Sequence, residues 1–191
     1  MRKTFLYIFL FLSLLFAAVI AFSPYRSHQG FPYKLIKHSI DINAPVEKVY
    51  DFLGNSKNAS RWSSFVNHIT VLNQHNFTDG TAGSRRRCFR NANEKGMQWD
   101  ELITEAESNQ KRALSIYNLK DFSMTAQHLT TEQLYETISE KKCTLTFTVF
   151  FKDVKQTIWE TIKMYLAAYR INPVFEKNLS NIKQITEREQ K

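Results

Sequence analysis

The sequence predicts an α+β fold: a bent antiparallel sheet covered on one face by a long C-terminal helix, with a single hydrophobic helix at the N-terminus. Three observations carry this. Period-two segments recur from His68 to Phe151, the spacing of half-buried strands. A helical pattern follows from Val154 to Glu189, and an uncharged apolar run from Phe5 to Phe22 stands apart from both. The 191 residues leave room for one ordinary domain. A hydrophobic content of 43%, with 14% aromatics, supplies a core and excludes a disordered chain.

At the N-terminus, Arg2 and Lys3 precede the apolar run. As a helix, residues 5–22 would extend about 27 Å, close to the roughly 30 Å hydrocarbon thickness of a bilayer. That fits a transmembrane anchor. The basic start and the small-residue step Val19-Ile20-Ala21 also fit a cleaved secretory signal, while the length of the run favours the anchor. Residues 1–22 are thus an anchor or signal, 23–35 a linker and 36–191 the folded domain. The linker assignment rests on the polar stretch from Ser23 to Phe31, with Pro24 and Gly30. Basic residues flank both ends of the span, so the positive-inside count does not decide orientation. The signal-like start favours a domain on the exported side, periplasmic or extracellular, or a secreted one if the signal is cleaved.

The domain opens with an alternating strand from Lys37 to Asn43, ended by Asn43-Ala44-Pro45. Val46, Val49, Tyr50 and Leu53 then share a helical face, and Pro45 suits the first turn of that helix. A second short helix is expected over Ala59 to Phe65. Six strands follow, at His68–Asn73, Ser84–Asn91, Met97–Glu107, Arg112–Leu119, Glu132–Ser139 and Lys142–Phe151, with turns at Asp79-Gly80, Asn91–Gly96 and Glu140-Lys141. In the last strand Cys143, Leu145, Phe147, Val149 and Phe151 alternate with threonines, so one face must be covered. The cover is the C-terminal helix. It presents Ile158, Ile162, Leu166 and Tyr169 on one face, then Phe175, Leu179, Ile182 and Ile185. Asn172-Pro173 is expected to kink or divide it.

This order, the opening from Ile40-Asp41-Ile42-Asn43-Ala44-Pro45 to Leu53, Trp62, and the turn Asp79-Gly80-Thr81-Ala82-Gly83 resemble the START-like, or SRPBCC, superfamily. More narrowly the chain is similar to its polyketide cyclase/dehydrase and lipid-transport group over about residues 36 to 187. The resemblance implies a helix-grip fold, in which the bent sheet holds the long helix and leaves an apolar cavity between them. It further implies a hydrophobic guest, such as a lipid, sterol, polyketide, quinone or hormone, with catalysis in only some members. The N-terminal hydrophobic span and the Asn172-Pro173 interruption lie outside the common pattern.

Candidate site residues follow from strand parity. In Met97–Glu107, Trp99, Glu101 and Ile103 share a face, so an inward Trp99 takes Glu101 with it. A carboxyl in an apolar cavity is placed for acid or base work, or to hold a polar ligand head. Glu101 is therefore the candidate catalytic residue. Arg86 or Arg90 on the preceding strand is its expected counter-charge, and a purely structural ion pair is the competing reading. Trp62, Phe65, Trp99 and Tyr169 are candidate lining. Tyr117, Tyr135 and Tyr165 are candidate hydroxyls for orienting a ligand; each also fits a core tyrosine with a satisfied hydroxyl.

The five histidines are scattered, without His-Glu-x-x-His or companion cysteines, so no metal site is expected. No cofactor motif is present, nor a phosphate-cradling glycine loop or a Gly-x-Ser-x-Gly elbow. Cys88 and Cys143 read as buried thiols on separated strands rather than a disulfide. The net charge is +8, and no nucleic-acid motif accompanies it, so a nucleic-acid partner is not expected. Spread basic charge instead suits an anionic membrane surface or plain solvation. Three functions stay open: a membrane-tethered carrier of a hydrophobic small molecule or lipid, a cyclase/dehydrase-like enzyme using Glu101, and a cavity-poor interaction domain. Apolar burial at roughly 25 cal/mol per Å² would drive the first.

Overall fold

The computed structural model describes residues 2–122, 125–151 and 157–188. The N-terminal helix α1 (Arg2–Ala21) leads through a two-residue strand β1 (Arg26–Ser27) into β2 (Lys34–Ile42). Helix α2 (Val46–Gly54), a 3₁₀ turn (Ser56–Asn58) and α3 (Ala59–Trp62) then cross to β3 (His68–Val71). A meander follows: β4 (Arg85–Phe89), β5 (Gln98–Glu107), β6 (Lys111–Lys120), β7 (Leu129–Ser139) and β8 (Lys142–Phe150), closed by α4 (Ile158–Arg188). All neighbouring strands are antiparallel, in the order β1-β2-β8-β7-β6-β5-β4-β3. This is the expected helix-grip arrangement.

Element positions follow the sequence patterns, with differences at the ends. The short helix expected to reach Phe65 stops at Trp62, because Ser63 is extended and its Oγ accepts the amides of Phe65 and Val66. The Asp79-Gly80 turn closes tightly against α2. A Cβ on Gly80, at φ +82°, would lie 2.5 Å from the carbonyl oxygen of Gly54, so only glycine fits. Buried Arg112 fastens this turn and α2 to the sheet. Its Nε donates to the Gly80 carbonyl (3.0 Å), its Nη1 to Tyr135 Oη (3.0 Å) and Gln133 Oε1 (3.1 Å), and its guanidinium sits 4.1 Å from the Tyr50 ring centre. Among the described residues no carboxylate pairs with it; neutral acceptors and a π face hold the charge.

The segment read as a polar tether, residues 23–35, packs on the domain instead. Tyr25 is 6% exposed and sits edge-on to Phe151 and Tyr165, while Arg26 and Ser27 pair with Leu35 and Lys34. The polarity of its neighbours hid the packing of Tyr25 in the core, the stacking of Tyr33 on buried Phe150 and the backbone pairing of β1.

The expected start of α4 at Val154 and its end at Glu189 lie outside the described residues. Its first half is rotated from the face that the sequence suggested. Ile158 and Tyr169 are exposed, and Met164, Ala167 and Ala168 are buried, because the helix approaches the sheet on small side chains there. The second half follows the pattern: Leu179 and Ile182 are buried, with Phe175 and Ile185 packed beside them. Pro173 does not divide the helix, which is continuous across it. The proline is exposed, and Asn172 Oδ1 lies 2.7 Å from His38 Nε2 on β2, which pins the helix at this point. The missing N–H nonetheless deprives the Tyr169 carbonyl of its helical donor. Pro173→Ala is therefore expected to raise stability by about 1–3 kcal/mol, net of the extra freedom of the unfolded chain. Urea unfolding checks this, and an unchanged midpoint would show that the lost bond has a substitute.

Candidate functional site

Between the inner face of β4–β8, the α3 region and the middle of α4 lies a cavity of about 300 Å³. Strand alternation builds its floor: Arg86 and Cys88 from β4, Trp99 and Glu101 from β5, Leu114 and Ile116 from β6, Thr131 and Gln133 from β7, and Phe147 and Val149 from β8. Ala167, Ile171, Val174 and Asn178 recur at helical spacing and form its roof. Aromatic rings dominate one side. Phe65 lies 5.8 Å from Trp99 and 6.2 Å from Phe122 between ring centres, and Trp99 meets Phe122 edge-on at 5.7 Å. Trp62, Phe147 and Phe175 form a second edge-to-face chain, at 6.1 and 5.7 Å. Arg90, projecting beyond β4, covers the outside of Phe65 at 4.6 Å and donates to the Ser64 and Phe65 carbonyls.

A polar group breaks this apolar wall. Glu101 Oε2 accepts from Arg86 Nε at 3.2 Å, and Glu101 Oε1 accepts from the indole N–H of Trp99 at 2.9 Å. Arg86 Nη1 donates to Ser56 Oγ (3.2 Å), and Ser56 in turn donates to Asp79 through both Oγ and its amide. The side chains of Arg86 and Glu101 are 4% and 12% exposed, so the pair is nearly desolvated. Both carboxylate oxygens are occupied, which opposes a free acid or base and fits the ion-pair reading. Burial, then the adjacent Glu101 charge, pushes the Cys88 thiol well above its usual range, leaving it protonated and inert. Cys143 is likewise free and buried, with burial raising its pKa to about 11.

Five of the proposed ligand-binding residues, Trp62, Phe65, Arg86, Trp99 and Glu101, stand together on this wall. The four tyrosines lie elsewhere. Tyr135 faces inward but deeper, its hydroxyl donating to Gln133 Oε1 at 2.8 Å while accepting from Arg112; burial pushes its pKa up. Tyr117 falls on the outer face by alternation with Ile116, beside the Arg87–Asp100 pair. Tyr165 turns to Tyr25 and accepts from Lys34 Nζ at 2.7 Å. Tyr169 is exposed and donates to the Val19 carbonyl of α1 at 2.7 Å. Both tyrosines of α4 were misplaced by the same rotation of its first half. Among the lining residues not singled out, Phe147 and Phe175 were legible as inward positions. Phe122 and Ser56 lie in a loop and a turn, where no periodicity marks them. Among the described residues no cluster of metal-ligating side chains occurs.

These features define a helix-grip domain around an aromatic-lined hollow with a buried ion pair in its wall. The chain belongs to the polyketide cyclase/dehydrase and lipid transport family, whose model matches residues 35–187. Comparison with curated proteins gives no match. Among solved structures, the protein XoxI from Bacillus cereus superposes with a TM-score of 0.60 at 11% identity, over 82% of this chain and 98% of that one. The di-domain ARO/CYC BexL from the BE-7585A biosynthetic pathway gives 0.59 at 12%, covering 78% of this chain and 45% of that longer one. A Thalictrum flavum norcoclaurine synthase mutant, in complex with a transition-state analogue, gives 0.59 at 9%, over 83% and 96%. At such identities the likeness is one of fold.

On the outer face, Arg87 Nε and Nη2 grip Asp100 at 2.6 and 2.9 Å, and Asn118 adds a third bond. The Arg87 bond, then that of Asn118, holds the Asp100 carboxyl below its usual pKa against the opposing effect of burial. A depressed folded pKa gives stability that is complete above about pH 5 and is lost as pH falls through the folded value. Asp100→Asn should therefore flatten the acid side of a plot of Tm against pH. An unaltered acid limb would mean that this pair carries none of the dependence.

Proposed function

We propose that the protein is a membrane-anchored carrier that holds a hydrophobic small molecule, of lipid type, in the cavity between sheet and α4. The observation that supports this most directly is the aromatic-lined volume of about 300 Å³. It equals about ten water-sized volumes and sits at the low end of ligand pockets. The guest is accordingly one acyl chain or a compact ring system, and a two-chain phospholipid would exceed the space. A guest burying roughly 300 Å² of apolar surface gains on the order of 7 kcal/mol before the costs of association. Arg86, Gln133 and Ser56 stand where a polar atom of the guest would be met. Helix α1 serves as the anchor, consistent with its 20 residues and absence of buried side chains. The domain lies on the exported side, following the signal-like order of Arg2, Lys3 and the apolar run.

Proton transfer by Glu101, as in a cyclase or dehydrase, is the second reading, favoured by the place of its carboxylate in the cavity wall. Its two engaged oxygens weigh against it. Organic extracts of the full chain, purified in a detergent of distinct mass, should yield a single-chain or compact lipid by mass spectrometry. Val174→Trp, which fills the roof from the helix side, and Trp99→Arg should each remove it, while Glu101→Gln should keep it. Extracts without a guest from all preparations would sink the carrier reading. Turnover of a ring-forming substrate that Glu101→Gln alone abolishes would establish the enzyme instead.

A further inference from the structure

Helix α1 does not hang from the domain on a free leash. Its last turn closes with the Phe22 amide on the Ala18 carbonyl (2.9 Å), and the next residue is already bonded to α4: Ser23 Oγ donates to the Tyr165 carbonyl at 2.9 Å. One turn further along α4, Tyr169 Oη donates to the Val19 carbonyl at 2.7 Å. Tyr25 then plugs the core, edge-on to Tyr165 at 5.3 Å, and β1 joins the sheet. The anchor is thereby fastened at two points to the helix that roofs the cavity. Beyond this junction α1 leaves the protein with no buried side chain. Its 20 residues span about 30 Å, the thickness of a hydrocarbon core.

The junction is also where α4 meets the cavity. Ala167, Arg170, Ile171 and Val174 of the roof lie within about one and a half turns of the Tyr165–Tyr169 contacts, and Arg170 is exposed. Lys34 Nζ lies 5.5 Å over the Tyr165 ring, and exposed Arg26 and Arg170 directly follow Tyr25 and Tyr169 in the chain. Tyrosine with lysine and arginine is the composition that settles at the headgroup level of a bilayer.

From this geometry we infer that the α1–α4 junction is a lipid-docking surface: the bilayer that holds α1 lies against Tyr169 and Arg170, so the cavity takes its guest from that same membrane. The inference rests on the carrier reading for what enters, and on α1 being kept as a span. The opposite edge of the sheet, at the β3–β4 loop with exposed His75, lies seven strand spacings from β1, roughly 33 Å along the curved sheet, and is the far side in this arrangement.

The test uses the full chain reconstituted into vesicles of phosphatidylcholine and phosphatidylglycerol. A fluorophore is attached at Arg170→Cys or at His75→Cys, the native cysteines being buried. Lipids spin-labelled near the headgroup should quench the probe at position 170 several-fold more than the probe at 75. A flexible glycine-serine insertion after Phe22 should reduce that difference. Lys34→Cys provides a second near-side probe in case the Arg170 variant fails to fold. Equal quenching on both sides, or recovery of a chain lacking residues 2–21, would overturn the inference. The readout does not depend on cavity loading, so the two proposals fail separately: a loaded but unquenched protein overturns only the docking surface, and a quenched protein without extractable guest overturns the carrier.

Discussion

The hollow exists because α4 packs its buried side chains against the sheet toward its two ends, while its middle meets the sheet through the Asn172–His38 contact and the ring of Phe175 against Phe147. Near its start, Met164 and Ala168 pack with Tyr25, Ile36, Val149 and Phe151; toward its end, Leu179 and Ile182 pack with α2 and with Ile42, Cys143 and Leu145. Fully burying side chains of this size stabilises by roughly 1.5–3 kcal/mol each, so either support holds the helix firmly. The stretch that carries Arg170, Ile171 and Val174 spans the gap. Its Ile171 and Val174 line the hollow together with Leu114, Ile116 and Thr131 of the sheet. Were the first support built on the larger Ile158 and Tyr169, as their spacing suggested, the helix would stand differently over the sheet. Two alanines let it approach.

The ion pair in the wall limits what the site does chemically. Leaving either Arg86 or Glu101 unpaired in this desolvated position would be costly, on the order of 3–5 kcal/mol. The pair is thus fixed as an internal polar patch in an apolar room, with Ser56 and Asp79 extending it to the surface. Trp99 contributes twice: its ring faces Phe65 and Phe122, and its N–H occupies the second oxygen of Glu101. Such an arrangement presents a polar patch to the cavity with both oxygens of its carboxylate already engaged. Cys88, protonated beside the same carboxylate, adds no nucleophile.

Much of this was legible in the sequence, and the failures share physical causes. Period-two alternation gave the strands and the inward set Trp99, Glu101, Phe147 and Val149, because a strand has only two faces and one was plainly apolar. The same rule, applied to β6, places Tyr117 outside once Leu114 and Ile116 are known to point in. Helix faces were harder. A stripe read from large residues misses a contact made by Ala167 and Ala168, and so Tyr165 and Tyr169 were turned toward the wrong partner. The Arg86–Glu101 pair was visible as an alternative, since adjacent strands put the two residues in register. Phe122 and the packing of Tyr25 were not, because both lie in irregular segments where only tertiary context decides.

Pro173 sits within this middle stretch of α4, between Asn172, which meets His38 of β2, and Val174 of the roof. One rung of the hydrogen-bond ladder is missing there, beside the contact between Asn172 Oδ1 and His38 Nε2 that ties the helix to β2. The backbone of α4 is consequently weakest at this notch, and the Asn172–His38 contact is what holds the helix in line beside it.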